Sequence, residues 1–314
     1  MNAQQKKNMA ASIKQRLLNL AKERGEDFNF ILSRFTVERF LYRISSSDEQ
    51  GNFIVKGAML FHLRALDLPY RPTHDLDLLG SGPPDIERMV NIFRTICRAE
   101  VPDDGLIFQG DTVQGEQIKA EDEYLGIRLR LQAMMGTARI PLQIDVGFGD
   151  AVTPAPQREE LATLLDLPSP AMLTYPWESV VAEKFHAIVE LGMDNSRMKD
   201  YFDLHYLSET QTFDGKLLAN SIQDAFARRK TDLPEDTPTG LLSVFGEDSV
   251  KQTQWQAFIR KNHLMERELQ LNVIIDRLGH FLLPPVKALA NKDSFQKTWS
   301  PGGPWEGMGE VISC

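Results

Sequence analysis

Between residues 12 and 44, apolar side chains recur at helical spacing: Leu17, Leu18 and Leu20, then Phe30, Ile31 and Phe35, then Phe40 and Leu41. Gly25 and Asp27 interrupt the pattern and divide it into two helices. The period then changes. Phe53, Ile54 and Val55 form a short β-branched run that reaches Lys56-Gly57, and residues 58–64 return to a helical pattern, so a strand, a glycine turn and a helix follow one another. A second strand is predicted over residues 76–79. The breakers Gly80-Ser81-Gly82-Pro83-Pro84 stop it, and an amphipathic helix is predicted over 86–99. Residues 124–131 alternate apolar and polar positions, and residues 140–146 follow a turn near Gly136, which predicts an antiparallel pair.

Prolines at 154, 156, 168 and 170 disfavour regular structure and bracket a lobe boundary. The expected division is an N-terminal lobe over 1–165 and a helical lobe over 166–314. Pro176 suits a first helical position, with a helix running to Leu191 and further helices over 197–207, 217–229 and 255–282. The segment Ser300-Pro301-Gly302-Gly303-Pro304 reads as a loop. No internal repeat or low-complexity tract favours a solenoid or a disordered scaffold.

Composition narrows the class without naming the chemistry. With 314 residues, 42% of them hydrophobic, the chain can bury a substantial core. Its first residues lack the uninterrupted apolar stretch of a secretory signal or membrane span, so a cytoplasmic location is expected. The two cysteines, Cys97 and Cys314, suggest neither a disulfide framework nor a zinc site. A net charge of −9 removes the simple inference of a strongly basic nucleic-acid binder. Local groups such as Arg228-Arg229-Lys230 or Arg260-Lys261 remain available to a phosphate backbone, although such runs are more often solvated faces.

Asp75 and Asp77 are the leading candidates for chemistry. Alternate side chains of a strand share a face, so the two carboxylates converge while Leu76 and Leu78 point to the core. A hard magnesium ion prefers such oxygen ligands and neutralises charge on a transferred phosphate. Two unrelated aspartates on a solvated strand edge are the plain alternative. The turn Lys56-Gly57-Ala58 offers backbone N–H groups and a helix start to triphosphate oxygens, although alone it is an ordinary strand-to-helix turn. Asp145 ends an apolar strand and is a third metal-ligand candidate if that strand lies beside the Asp75 segment. Equally, it starts a turn at Gly147-Phe148-Gly149.

A fourth group spans two predicted helices. Lys184 flanks the apolar stripe of Val181, Phe185 and Ile188, where its stem can pack while its ammonium reaches a cleft. Arg197, Lys199, Asp200 and Asp203 follow at spacings that also suit ion pairs laced along one helix face. No histidine has a partner that marks it as a base or ligand.

Taken in order, Lys56-Gly57-Ala58-Met59-Leu60, Arg71-Pro72-Thr73-x-Asp75-Leu76-Asp77-Leu78, Ile144-Asp145-Val146, Glu183-Lys184-Phe185-x-Ala187 and Arg197-x-Lys199-Asp200-x-x-Asp203-Leu204 resemble the motifs of the AbiEii/AbiGii toxin family, across roughly residues 12–210. The resemblance implies an α+β chain with a DNA polymerase β-like nucleotidyltransferase lobe, the helical lobe completing the active site. It further implies a toxin of a bacterial toxin–antitoxin or phage-defence pair, with a cognate antitoxin as partner and no membrane. Relatives of the MenT-like kind transfer nucleotides from a nucleoside triphosphate to the 3′ end of transfer RNA. By this resemblance Asp75 and Asp77 bind Mg2+, Lys184 contacts the triphosphate, Asp200 completes the site, and Arg71 and Thr73 orient the first motif; Lys56, Gly57, Ala58 and Lys199 complete the nucleotide-binding set. Gly57-Ala58 departs from the Gly-Ser or Gly-Gly of the wider superfamily, removing a hydroxyl but keeping the backbone N–H. Two other readings stay open: transfer to a protein or small-molecule acceptor, and a non-catalytic binding module with a structural acidic pair.

Overall fold

The computed structural model describes residues 3–64, 70–119, 125–149, 152–264 and 269–307. Tyr124, expected to begin a strand, and Cys314 lie outside the described residues. The chain forms two compact units, one of residues 1–150 and 156–175, the other of 151–155 and 176–314.

The first unit begins with α1, Ala3–Arg24, and α2, Phe28–Ser45. Asp27 separates them as an N-cap whose carboxylate accepts from the Asn29 and Phe30 N–H groups, so the predicted break is a capping event. Then follow β1 (Phe53–Lys56), α3 (Met59–Arg64), β2 (Leu76–Gly80), α4 (Ile86–Cys97), β3 (Ile107–Lys119), β4 (Leu125–Met135), β5 (Ala138–Phe148), β6 (Gln157–Glu160) and β7 (Ala171–Thr174). They build a seven-stranded sheet of order β3-β4-β5-β2-β1-β7-β6. β2 runs parallel to β5 and β1 parallel to β7, while the other neighbours are antiparallel. This is the mixed sheet with helices that an α+β fold requires.

Alternation along the central strands divides the sheet into two faces. Phe53 and Val55 of β1, Leu76 and Leu78 of β2 and Ile144 and Val146 of β5 are buried. Phe93 of α4 joins this core, 5.4 Å from the Phe53 ring and 5.7 Å from Phe40 of α2. The intervening Lys56, Asp77, Gln143 and Asp145 are half-buried and belong to the opposite face. α2 also carries buried charges: Arg34 lies beside Glu38, and Arg39 and Arg43 both bind Asp104.

Three features differ from the sequence expectation. β3, β6 and β7 add strands that the pattern does not announce, and β7 belongs to the sheet through its pairing with β1, so the first unit ends at Tyr175 and not at 165. The predicted helix over 255–282 is two helices, because His263 adopts a positive φ of 54° just beyond the first of them.

The second unit contains α5 (Trp177–Leu191), α6 (Met198–Thr210), β8 (Phe213–Asp214), α7 (Gly215–Arg228), α8 (Ser243–Glu247), α9 (Ser249–Lys261), α10 (Leu271–Ala290), β9 (Lys297–Trp299) and β10 (Trp305–Gly307). Its last two strands flank the expected loop at 300–304 and form a small sheet of order β10-β9-β8. Trp299 and Trp305 close on Phe281 of α10, with ring centroids 4.9 and 6.0 Å away. Each indole N–H finds a carbonyl, at Ser208 and Phe281. No helix among the described residues is long and apolar enough to cross a membrane.

Candidate active site

Strand register assembles the polar face of the sheet. Lys56 of β1 pairs with Asp77 of β2, Asp77 with Asp145 of β5, Asp145 with Arg128 of β4, and Arg128 with Glu116 of β3. Register partners project to the same face, so five charged side chains form a row across five strands. Asp75 is exposed just before β2 and accepts a hydrogen bond from the Gln143 amide at 3.2 Å. The structure therefore brings Asp75, Asp77 and Asp145 to one face. Asp145, however, is already engaged: both of its oxygens accept from the Arg128 guanidinium, at 2.8 and 2.7 Å. That hydrogen bonding, partly opposed by burial and reinforced by the Asp145 and Asp75 charges, raises the Arg128 pKa.

The glycine turn has a reason other than the one its sequence suggests. Gly57 has φ of +73°, and a Cβ placed there would lie 2.6 Å from Asp77 Cγ. Glycine thus makes room for the carboxylate, in a conformation that other residues adopt at a cost. Ala58 lies between this turn and α3, which spans only six residues, a short helix for a sizeable dipole. The Lys56 ammonium lies 5.0 Å from the centroid of the buried Tyr175 ring.

The segment leading to the aspartates is fixed from below. His62 Nε2 donates to the Arg71 carbonyl at 2.9 Å, and Arg34 of α2 donates to the His62 carbonyl. Burial first, with the neighbouring Arg34 cation, lowers the His62 pKa to about 4. The ring therefore stays neutral near pH 7 and keeps the tautomer that donates to Arg71. The Arg71 guanidinium stands 5.4 Å from the Tyr70 ring centroid, and Thr73 is half-buried along the same approach.

In the helical unit, Lys184 of α5 binds two fully buried carboxylates of α6, Asp200 and Asp203, each at 2.8 Å. Arg197 binds the second oxygen of Asp200. Burial alone would raise the Asp200 pKa, but Lys184 and Arg197 outweigh it and hold the group below the usual aspartate range. Lys199 is exposed on α6. His186 is 1% exposed; its Nδ1 faces an Arg229 N–H and its Nε2 faces the Thr231 hydroxyl. Since arginine only donates, Nδ1 accepts and the imidazole is neutral, with its proton on Nε2. Arg229 is thus committed to His186, whereas Lys230, Arg260 and Lys261 are exposed.

Arg128 is the site residue that sequence reasoning passes over. Its only signal is its place on the polar side of the Ile127-Arg128-Leu129-Arg130 alternation. Among the described residues, no group of three or more His, Cys, Asp or Glu is arranged to hold a metal ion. Asp75, Asp77 and Asp145 are hard oxygen donors of the kind a divalent cation takes.

Asp77 thus lies on a central strand with Asp75 just before it, beside a strand that is followed by a glycine turn. The chain belongs to the family described as nucleotidyl transferase AbiEii toxin, type IV toxin–antitoxin system, whose profile matches residues 39–285. It is accordingly a nucleotidyltransferase toxin, with a nucleoside triphosphate as substrate and a cognate antitoxin. No curated protein matches the chain. Among solved structures it is similar to a candidate nucleotidyltransferase from H. pylori, at 15% identity and a TM-score of 0.47, covering 84% of this chain and 98% of that one. It is also similar to JHP933 from Helicobacter pylori, at 14% identity and a TM-score of 0.45, covering 81% and 90%.

Proposed function

We propose that this toxin moves a nucleoside monophosphate from a nucleoside triphosphate to the 3′ end of an RNA, with transfer RNA as the acceptor, in the cytoplasm of a bacterium that uses it in phage defence. The acceptor hydroxyl bonds to the α-phosphorus, the bond to pyrophosphate breaks, and the hydroxyl proton leaves to water or a site carboxylate. The observation that carries this reading is the placement of Asp77, in register between Lys56 and Asp145 and seated against Gly57. Asp75 and Asp77 would hold Mg2+, which when bound supplies the positive charge that neutralises the transferred phosphate. Lys56 and the Gly57-Ala58 turn would bind phosphate oxygens, and Arg71 and Thr73 would orient the strand that carries the carboxylates. Lys184, Lys199 and Asp200 are assigned to triphosphate binding and to the reaction on the order of the family's motifs. Exposed Lys230, Arg260 and Lys261 supply local positive charge on a chain that is acidic as a whole.

The test is incubation with total transfer RNA and each of the four labelled nucleoside triphosphates. Label should pass to RNA from a preferred nucleotide, only with magnesium, and not with Asp77→Ala. Absence of transfer from all four nucleotides to a range of RNAs would overturn the reading. Label on protein would move the acceptor to a polypeptide.

A further inference from the structure

Asp145 is the third carboxylate of the polar face, and Arg128 already holds it. The pair is bidentate: Nε donates to Oδ1 at 2.8 Å and Nη2 to Oδ2 at 2.7 Å, with the side chains 29% and 20% exposed. Parallel, charge-assisted bonds of this kind are among the strong hydrogen bonds of proteins. A divalent cation on Asp145 would have to break both, and would then stand against a guanidinium that does not deprotonate. In the neighbouring register, Asp77 faces Lys56 on one side and Asp145 on the other.

The position of Arg128 suggests what it is for. It stands next to Asp145 on β4, as Asp145 stands next to Asp77 on β2, and it feels the Asp75 charge as well. Asp145 takes two of the five N–H groups of a guanidinium, and the planar fork that remains matches phosphate oxygens. Lys56 and Arg128 therefore flank Asp77 and Asp145 with one cation on each side, and Glu116 follows beyond Arg128.

Resting on the nucleotidyltransferase reading above, we propose that Asp145 is not a metal ligand but the holder of Arg128, and that Arg128 is a phosphate-binding residue of the site. The metal then sits on Asp75 and Asp77 alone. Asp145 acts through the arginine, as a positioning residue.

Two binding measurements on the full chain test this without turnover. Mn2+ alone is titrated by electron paramagnetic resonance into wild type, Asp77→Asn and Asp145→Asn. Separately, α,β-methylene analogues of the four nucleoside triphosphates are titrated in EDTA into wild type, Arg128→Gln and Arg128→Lys, the last keeping a charge near Asp145 should the glutamine fold poorly. Asp77→Asn should weaken Mn2+ binding by about tenfold or more while Asp145→Asn changes it less than about threefold, since only the former is a direct ligand. Arg128→Gln should weaken metal-free nucleotide binding by about tenfold, with Arg128→Lys between it and wild type, as loss of a bidentate phosphate contact requires. Loss of Mn2+ binding in Asp145→Asn equal to that in Asp77→Asn would overturn the proposal, as would wild-type nucleotide affinity in both Arg128 variants. If wild type itself takes up neither Mn2+ nor any nucleotide analogue, the nucleotidyltransferase reading of this face fails, a pattern distinct from either.

Discussion

The Asp77 carboxylate occupies the space that a side chain at position 57 would need. A Cβ on Gly57 would lie 2.6 Å from Asp77 Cγ, and the backbone there has φ of +73°. Gly57→Ala therefore meets two obstacles at once, a strained left-handed conformation and a displaced carboxylate. It should cost about 1–3 kcal/mol of stability and reduce nucleotide transfer disproportionately, because relief of the overlap moves Asp77. Chemical denaturation set beside a transfer assay checks this; a variant as unstable as expected but fully active would mean that Asp77 placement does not matter.

Asp75→Asn and Asp77→Asn should each fold, since neither side chain lies in the apolar core, and each should lower transfer by more than about 100-fold, beyond the range typical of outer partners of a metal. Asp145→Asn should fall less far. Equal losses in all three variants would place the carboxylates in one functional class.

Lys184→Met would leave Asp200 and Asp203 buried without the ammonium that both of them bind. Breaking a buried pair in this way costs about 3–5 kcal/mol. The folded-state pKa of Asp200 is depressed, so its contribution to stability is present above the unfolded aspartate value of about 3.9 and is lost as pH falls through the lower folded value. The melting-temperature gap between Lys184→Met and wild type should thus be widest near neutrality and narrow below about pH 4. A gap independent of pH would remove the ionic account of this cluster.

Glu38 should impose the opposite trend. Burial, against the opposing effects of Arg34 and the Leu164 N–H, raises its pKa to about 7. An unfolded glutamate loses its proton near about pH 4.3, so between these values the folded state binds the extra proton and stability falls as pH rises. Glu38→Gln should remove that decline, visible as a flatter unfolding free energy between pH 4.5 and 7. An unchanged slope would assign the decline to other groups.

The starts of α2 and α5 and the strand that carries Asp77 were legible because their signals are local. Leu76 and Leu78 alternate with the aspartates, Asp27 caps α2, and Pro176 directly precedes α5. Edge strands carry weaker signals. β6 is Gln-Arg-Glu-Glu, with no apolar alternation, and β3 contains two glycines and shifts register between Gln109 and Gln114. β7 lies among prolines that argue against regular structure, yet four residues suffice to pair it with β1. In the site, the shared face of Asp75 and Asp77 follows from a spacing of two, whereas the bond from Arg128 to Asp145 depends on the register of a hairpin, which periodicity does not fix. Asp203 shows the same limit: its spacing allows a partner on its own helix, but it binds Lys184 of α5.

Residues 151–155 belong with the helices, whereas 156–175 return to the sheet. The Thr153 carbonyl accepts the hydroxyls of Ser179 on α5 and Ser221 on α7, so the short excursion is tied into the helical unit. A chimaera spliced at 165/166 would set this chain's β6 against a relative's β7 and this chain's Thr153 carbonyl against a relative's α5 and α7. Grafting the helices of a relative onto this sheet, to ask which half chooses the acceptor, therefore calls for a cassette with two junctions, one around Thr153 and one at Tyr175.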